Sequence, residues 1–214
     1  DDEGTGICVD SYGNIYVVGT SKSTVKSYDL TLLKYSSTGE LIWHKEYSSS
    51  EGYKEDRGLG IVVDSESKIY VTGYTTYSDH IEIVTQKYDA NGTELWTVLE
   101  DGTENHSGLE GKGLCISVSA QGNVFVGGYL TTTLTGNDII AIKYNSAGTI
   151  QWSKVINGSG NEEDKAWGIV VDSYENSYIT GYVTDTVNET DCYTAKLSPE
   201  GNISWEKVYN GEGN

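Results

Sequence analysis

The amino-acid sequence predicts an all-β protein, a β-propeller made of four four-stranded antiparallel blades. Three observations indicate this fold: one unit recurs four times, each unit holds four short runs of strand-forming residues, and no stretch of ten or more residues has helical periodicity. The units begin at Gly6, Gly60, Cys115 and Gly168, so that successive starts are 54, 55 and 53 residues apart. Antiparallel four-stranded units repeated at this spacing are typical of propeller blades.

The first two runs of each unit predict a β-hairpin. In the first unit, Gly6 to Val9 is followed by a short polar turn and then by Ile15 to Gly19. β-Branched and aromatic residues bounded by Gly, Asn, Asp and Ser favour strands, and the short connection makes the two strands antiparallel. An aspartate opens this turn in three units, and we expect it to accept backbone N–H bonds within its own hairpin: Asp10, Asp64 and Asp172.

The third and fourth runs complete the blade. The third run starts with an acid and ends in Lys followed by an aromatic or apolar residue; a glycine turn then leads to a Trp on the fourth run. These tryptophans are Trp43, Trp96, Trp152 and Trp205, and the lysines are Lys34, Lys87, Lys143 and Lys196. Because both series recur at a fixed phase, we interpret them as structural groups and not as a sugar platform or a site.

The repeated pattern resembles a known family. Gly-Ile-x-Val-Asp, Gly-Asn-x-Tyr-Val-x-Gly, Asp-x5-Lys-Tyr and Ser-x-Gly-x4-Trp are similar to the bacterial and archaeal SBBP β-propeller repeats and, more distantly, to quinoprotein propeller repeats. This resemblance covers the whole chain and implies a secreted or surface propeller module. It implies no catalytic residues. The third unit departs most from the pattern, with Cys115 for the first Gly and Ser119 for the turn Asp.

The repeats predict a single domain over residues 1–214, with blades at about 1–50, 51–104, 105–160 and 161–214. Both chain ends lie at the same phase of the repeat, which indicates an integral number of blades. An open arc of four would expose the apolar outer faces of its end blades. We therefore expect the ring to be closed by this chain, by a second chain or by further blades, and the sequence leaves these alternatives open.

The charge balance narrows the class of partner. There are 32 acidic against 14 basic residues, a net charge of −18 and a pI near 4.3. Nucleic acids and anionic membranes attract clustered Lys and Arg, so neither is an expected partner. No stretch of 18 apolar residues predicts a membrane span, and we interpret the chain, which starts without Met, as a processed or excised segment.

Five sequons predict glycosylation sites on an exported protein. Each has Ser or Thr at the second following position with no Pro between, and the asparagines are Asn91, Asn105, Asn157, Asn188 and Asn202. Three cysteines occur at non-equivalent repeat positions, and their odd number forbids complete pairing. Because Cys8 and Cys192 take positions that other units fill with apolar residues, we expect buried thiols.

Acidic linkers and long, unlike loops lie together at one predicted rim, opposite the short turns. Variable loops on a rigid scaffold commonly bind partners, so the sequence favours this long-loop rim as the binding face. Asp2, Asp56 and Asp164 take equivalent linker positions, and carboxylates gathered around an axis can bind Ca²⁺. A solvated acidic surface is the alternative, and no other cofactor is expected. Trp167 lies outside the Trp series and is a further candidate contact.

No catalytic motif accompanies the repeats. The sequence lacks a Gly-x-Ser-x-Gly elbow, a His-Glu-x-x-His pair and a phosphate loop. We therefore predict a non-catalytic extracellular or cell-surface module for adhesion, surface assembly or ligand binding, with other surface proteins, glycans or copies of itself as partners. The alternative is the propeller domain of a secreted enzyme, either polysaccharide-active or quinoprotein-like.

Overall fold

A computed structural model describes residues 2–22, 28–48, 55–77, 80–100, 110–132, 134–187 and 189–211. It contains sixteen strands, and the described residues form no helix. The strands are β1 (Glu3–Val9), β2 (Ile15–Lys22), β3 (Tyr28–Tyr35), β4 (Leu41–Tyr47), β5 (Asp56–Val63), β6 (Ile69–Tyr77), β7 (His80–Tyr88), β8 (Glu94–Glu100), β9 (Gly111–Val118), β10 (Val124–Thr132), β11 (Gly136–Tyr144), β12 (Ile150–Ile156), β13 (Lys165–Val171), β14 (Ser177–Thr184), β15 (Thr190–Leu197) and β16 (Ile203–Tyr209).

The strands form four separate sheets, each an antiparallel meander of four consecutive strands. We call these sheets blades 1 to 4. The predicted fold class is confirmed, because every run named in the sequence forms a strand in the expected order. The first strands of successive blades pack on each other, β1 on β5, β5 on β9 and β9 on β13. These first strands therefore lie on the inner side of the arc.

Three apolar clusters hold the blades together. They join blade 1 to blade 2, blade 2 to blade 3 and blade 3 to blade 4, each built from alternating side chains of two facing sheets. Within the described residues, no such cluster joins blade 4 to blade 1. The described residues thus form an arc of four blades, and none of them covers its two end faces.

The first turns of blades 1, 2 and 4 have the predicted aspartate hydrogen bonds. Oδ1 of Asp10 accepts the backbone N–H groups of Tyr12 and Asn14, both at 2.9 Å, and the Tyr16 hydroxyl donates to Oδ2 at 3.0 Å. Asp64 and Asp172 make the equivalent bonds in blades 2 and 4. The structural role predicted for these aspartates is therefore confirmed.

The repeated lysines and tryptophans link neighbouring blades. Nζ of Lys34, Lys87 and Lys143 donates to a turn carbonyl of the next blade: Ala90 at 3.0 Å, Ser146 at 3.0 Å and Pro199 at 3.2 Å. Trp96 and Trp152 donate their Nε1 hydrogens to two of the same carbonyls, at 3.2 and 2.9 Å. The Lys contact is thus repeated at all three junctions, and at two of them a Trp hydrogen bond joins it, whereas Trp43 Nε1 has no hydrogen-bond partner among the described residues. We call these Lys and Trp contacts the latch.

Candidate functional site

A polar cleft of about 350 Å³ opens between blades 2 and 3, on the rim of the short turns. We call it the junction cleft. It is lined by the first turn of blade 2, the first turn of blade 3, and Lys87 with the Ser146 turn to which it donates. The charged residues that line it are Asp64, Glu66, Lys68 and Lys87, and the uncharged polar residues include Gln121 and Ser146. A volume of roughly 300 to 1,000 Å³ is usual for small-molecule sites.

The junction cleft exists because of one glycine. Gly122 has a φ of 79°, and Glu175 takes the same turn position in blade 4 with a φ of 63°. At the next junction the Glu175 side chain fills the equivalent space between blades 3 and 4. A Cβ atom built on Gly122 would lie 3.4 Å from Ser146 Cβ, so this space can accept a side chain. Without that side chain the cleft is open.

Glu175 shows what chemistry the space accepts. Its carboxylate binds the Lys143 ammonium at 2.8 Å, and the Ser119 hydroxyl and the Asn123 amide donate to it at 2.7 Å each. Burial by itself raises the pKa of Glu175, but these hydrogen bonds outweigh it and bring the pKa below its ordinary value. This junction therefore holds a carboxylate in its ionised form.

In the junction cleft, Lys87 takes the position of Lys143. Asp64 takes that of Ser119, and Lys68 takes that of Asn123. Lys87 donates to the Ser146 carbonyl and lies 5.1 Å above the centre of the Tyr70 ring. Burial lowers the pKa of Lys87, as expected for an ammonium group partly removed from water. The cleft thus offers two ammonium groups to an anion and two carboxylates, of Asp64 and Glu66, to hydroxyl donors.

The acids predicted to bind calcium are engaged separately. Asp2 Oδ1 accepts the Lys22 backbone N–H at 3.0 Å, and the Thr75 hydroxyl donates to Asp56. Asp164 accepts the Thr184 backbone N–H at 2.7 Å and a further one from Gly158, and burial raises its pKa. In the described ranges no group of three or more His, Cys, Asp or Glu side chains is placed to hold a metal ion. Calcium binding stays a prediction.

The other predicted contacts are distributed over the surface. Trp167 is 60% exposed and lies at a bulge of β13, on the inner side of the arc. Asn91, Asn157 and Asn202 are exposed, whereas Asn105 and Asn188 lie outside the described residues. Much of the long-loop rim, including 23–27 and 101–109, is also outside them. The binding role of that rim therefore stays a prediction.

Sequence reasoning missed the junction cleft. Its key residues, Gly122, Lys68 and Lys87, belong to motifs that looked purely structural. The signal lay in a comparison between units, because the turn position holds Glu in one blade and Gly in another.

Solved structures with the same architecture include polysaccharide-active enzymes. A PL25 ulvan lyase has a TM-score of 0.51 at 10% identity, over 95% of this chain and 56% of the lyase; it was also solved bound to -[GlcA(1-4)Rha3S]-. The α-L-arabinofuranosidase CtGH43 from Clostridium thermocellum ATCC 27405 has a TM-score of 0.51 at 11% identity, over 96% of this chain and 72% of that enzyme. The chain thus spans about half of the lyase. These identities show a shared fold.

Sequence comparison gives a narrower result. No curated protein matches the chain at a significant level.

The described part of the chain has no helix able to span a bilayer. Residues 1–25 match the beta-propeller repeat family SBBP, which confirms the resemblance predicted from the four repeats.

Proposed function

We propose that this chain is the propeller part of an exported polysaccharide-active protein, and that its junction cleft binds an acidic sugar unit. The observation that carries the proposal is the exchange of Glu175 for Gly122 at equivalent turn positions. Between blades 3 and 4, the Glu175 carboxylate binds Lys143. Between blades 2 and 3, the equivalent lysine, Lys87, faces an open cleft.

A sugar carboxylate suits both halves of this cleft. Its oxygens can accept from Lys68 and Lys87, in the manner of Glu175 on Lys143. The hydroxyls of the same sugar can donate to Asp64 and Glu66, which are acceptors when ionised. A ligand with one carboxylate and several hydroxyls therefore matches the donors and acceptors of the cleft, whereas an inorganic anion would bring no hydroxyl donor for Glu66. Asp64 already accepts two backbone N–H groups and the Tyr70 hydroxyl, so its share in ligand binding is smaller.

The shared architecture supports the substrate class. The PL25 enzyme is an ulvan lyase, and the fragment bound to it contains GlcA. The proposal assigns recognition to the junction cleft and assigns no catalytic residue. The strong negative charge and the exposed sequon residues Asn91, Asn157 and Asn202 support export.

Isothermal titration with uronate oligosaccharides tests the proposal, with neutral arabino-oligosaccharides as the comparison ligands. We expect the uronates to bind with a dissociation constant of about 10 to 1,000 µM, and the neutral sugars to bind at least about tenfold more weakly. Gly122→Glu should abolish uronate binding, because the new carboxylate can occupy the site on Lys87.

Gly13→Glu is the matched control. Gly13 takes the same turn position in blade 1 with a φ of 81°, and within one chain no described blade precedes it, so both variants are titrated at a concentration where the chain is monomeric. The control should retain uronate binding. Equal loss of binding in both variants, or uronate binding unchanged by Gly122→Glu, would refute the proposed cleft.

A second candidate function is the assembly of a surface structure. The exposed end faces of the arc favour it, because they carry the apolar groups that internal junctions bury. This candidate is independent of the junction cleft.

A further inference from the structure

The three internal junctions define what a complete junction contains. The earlier blade supplies a Lys and a Trp, and the later blade supplies a turn with a glycine against the Trp ring. A Cβ atom on Gly148 would lie 2.9 Å from the Trp96 ring, and one on Gly201 would lie 2.6 Å from the Trp152 ring. These glycines are therefore required for the close approach of the two blades.

Blade 4 carries the first half of such a junction without a partner blade. Trp205 is 42% exposed, and Lys196 lies 5.3 Å above the Tyr178 ring as its counterparts do in the other blades. Cys192 is exposed, although the equivalent side chains in the other blades are fully buried: Leu30, Ile83 and Ile139. An apolar depression of about 440 Å³ lies along β13 and β14, and its lining includes Tyr178, next to Trp205, together with Cys115 of blade 3.

Blade 1 carries the second half. Gly39 takes the position of Gly148 and Gly201, but no atom from outside its own neighbours lies within 4 Å of a Cβ built on it. Ile7 is 71% exposed, whereas Ile169, its equivalent in blade 4, is 5% exposed. Val9 is likewise exposed. Blade 1 thus has the glycine turn that would contact a Trp ring, which we call the Trp seat. Its apolar strand β1 is also exposed.

We infer that a second copy of this chain docks head to tail, with Trp205 and Lys196 of each copy on the Ser37–Gly39 turn of the other. Ser37 takes the place of Ser146 and Pro199, so its carbonyl is the expected acceptor of both side chains. Two arcs of four blades close a ring of eight, and propellers typically have about four to eight blades. A head-to-tail contact that closes on itself leaves no free face.

Sedimentation velocity from about 1 to about 100 µM tests this inference. We expect a concentration-dependent species with twice the mass of the 23.3 kDa chain. Trp205→Ala should weaken the association by at least about tenfold, as loss of a central aromatic anchor usually does. Leu134→Ala is the control, because Leu134 is also exposed but lies in the loop before β11 and not on an end face.

Gly39→Asn is the complementary variant. Asn tolerates positive φ, and its Cβ atom would lie at the Trp seat with no other described atom of its own chain within 4 Å. It should weaken the association as Trp205→Ala does. An equimolar mixture of the two variants forms dimers with one intact junction, so the mixture should associate more strongly than either variant alone.

Each other result overturns the inference. A monomer at all concentrations shows that no second copy docks, and larger or open-ended assemblies exclude the two-chain ring. A dimer unaffected by Gly39→Asn excludes the head-to-tail contact. Because Gly122→Glu changes the junction cleft and leaves both end faces intact, failure of the assembly and failure of uronate binding are distinguishable.

Discussion

Trp152 on blade 3 donates its Nε1 hydrogen to the Pro199 carbonyl on blade 4 at 2.9 Å. The same carbonyl accepts Lys143 Nζ at 3.2 Å, so one turn of blade 4 receives two side chains of blade 3. Gly201 in that turn makes room for the indole. This contact fixes the separation of the two sheets at the outer side of the junction.

Trp152→Ala should therefore destabilise the protein by about 2 to 4 kcal/mol, because it removes packed ring atoms and one interblade hydrogen bond. Trp205→Ala, measured at a concentration where the chain is monomeric, should cost less than about 1 kcal/mol, since its ring faces solvent. Urea denaturation of both variants gives the comparison. Equal losses of stability would show that the latch does not hold the blades.

The ion pair of Glu175 predicts a pH dependence. The folded-state pKa of Glu175 lies below its ordinary value of 4.5, so its contribution to stability is present above about pH 4.5 and is lost as pH falls through the folded pKa. Glu175→Gln should lower the free energy of unfolding by about 1 to 3 kcal/mol at pH 7. This difference from the unmodified protein should shrink towards pH 3. A difference that is constant with pH would exclude an ionised Glu175.

Glu175→Gly should open a second cleft between blades 3 and 4. Lys143 would then lose its carboxylate and face an open space, as Lys87 does between blades 2 and 3. We expect the number of bound uronate units per chain to rise from one to two, with Glu175→Gln as the control that keeps the space filled. Calorimetric stoichiometry measures this change, and a stoichiometry of one would mean that the lysine and the space are insufficient.

The cysteines should differ in reactivity. Burial raises the pKa of Cys8 and of Cys115 to about 12, whereas Cys192 is exposed. At pH 8 a thiol reagent should modify Cys192 in the native chain, and all three thiols after unfolding. Because Cys192 lies on the free face of blade 4, dilution into the monomeric range should speed its modification. Rapid native modification of Cys115 would contradict the packing of blade 3 on blade 4.

Local chemistry made much of the fold predictable from the sequence. The strand-forming runs, turn glycines and turn aspartates of a hairpin lie within about ten residues of each other. Their spacing in the sequence therefore predicts the strands and turns. The junction cleft depends instead on Gly122, Lys87 and Ser146, which lie in adjacent blades and whose contact depends on how two sheets stack. The expected burial of Cys192 was wrong for the same reason, because none of the four described blades packs on its face.

A double-mutant cycle can measure the coupling energy of the hydrogen bond from the Tyr70 hydroxyl to the Asp64 carboxylate. Blade 3 has Ser119 and Phe125 at these two positions, so Asp64→Ser and Tyr70→Phe reproduce a pair that the protein already contains. Each single change should cost about 1 to 3 kcal/mol, since it leaves one partner without its hydrogen bond. The double variant should cost less than the sum by about 1 kcal/mol. Strict additivity would show that the two groups are not coupled.

That substitution in blade 3 has a consequence for how the units can diverge. A carboxylate and a phenol hydroxyl have been lost together, and Ser119 Oγ still accepts the Asn123 backbone N–H at 3.2 Å. The replacement leaves no buried polar atom without a hydrogen bond, because the aspartate carboxylate and the tyrosine hydroxyl bind each other in the other blades. A hydrogen-bonded pair within a unit can therefore be replaced as a pair, and in blade 3 the new Ser119 hydroxyl also donates to Glu175 of blade 4 at 2.7 Å.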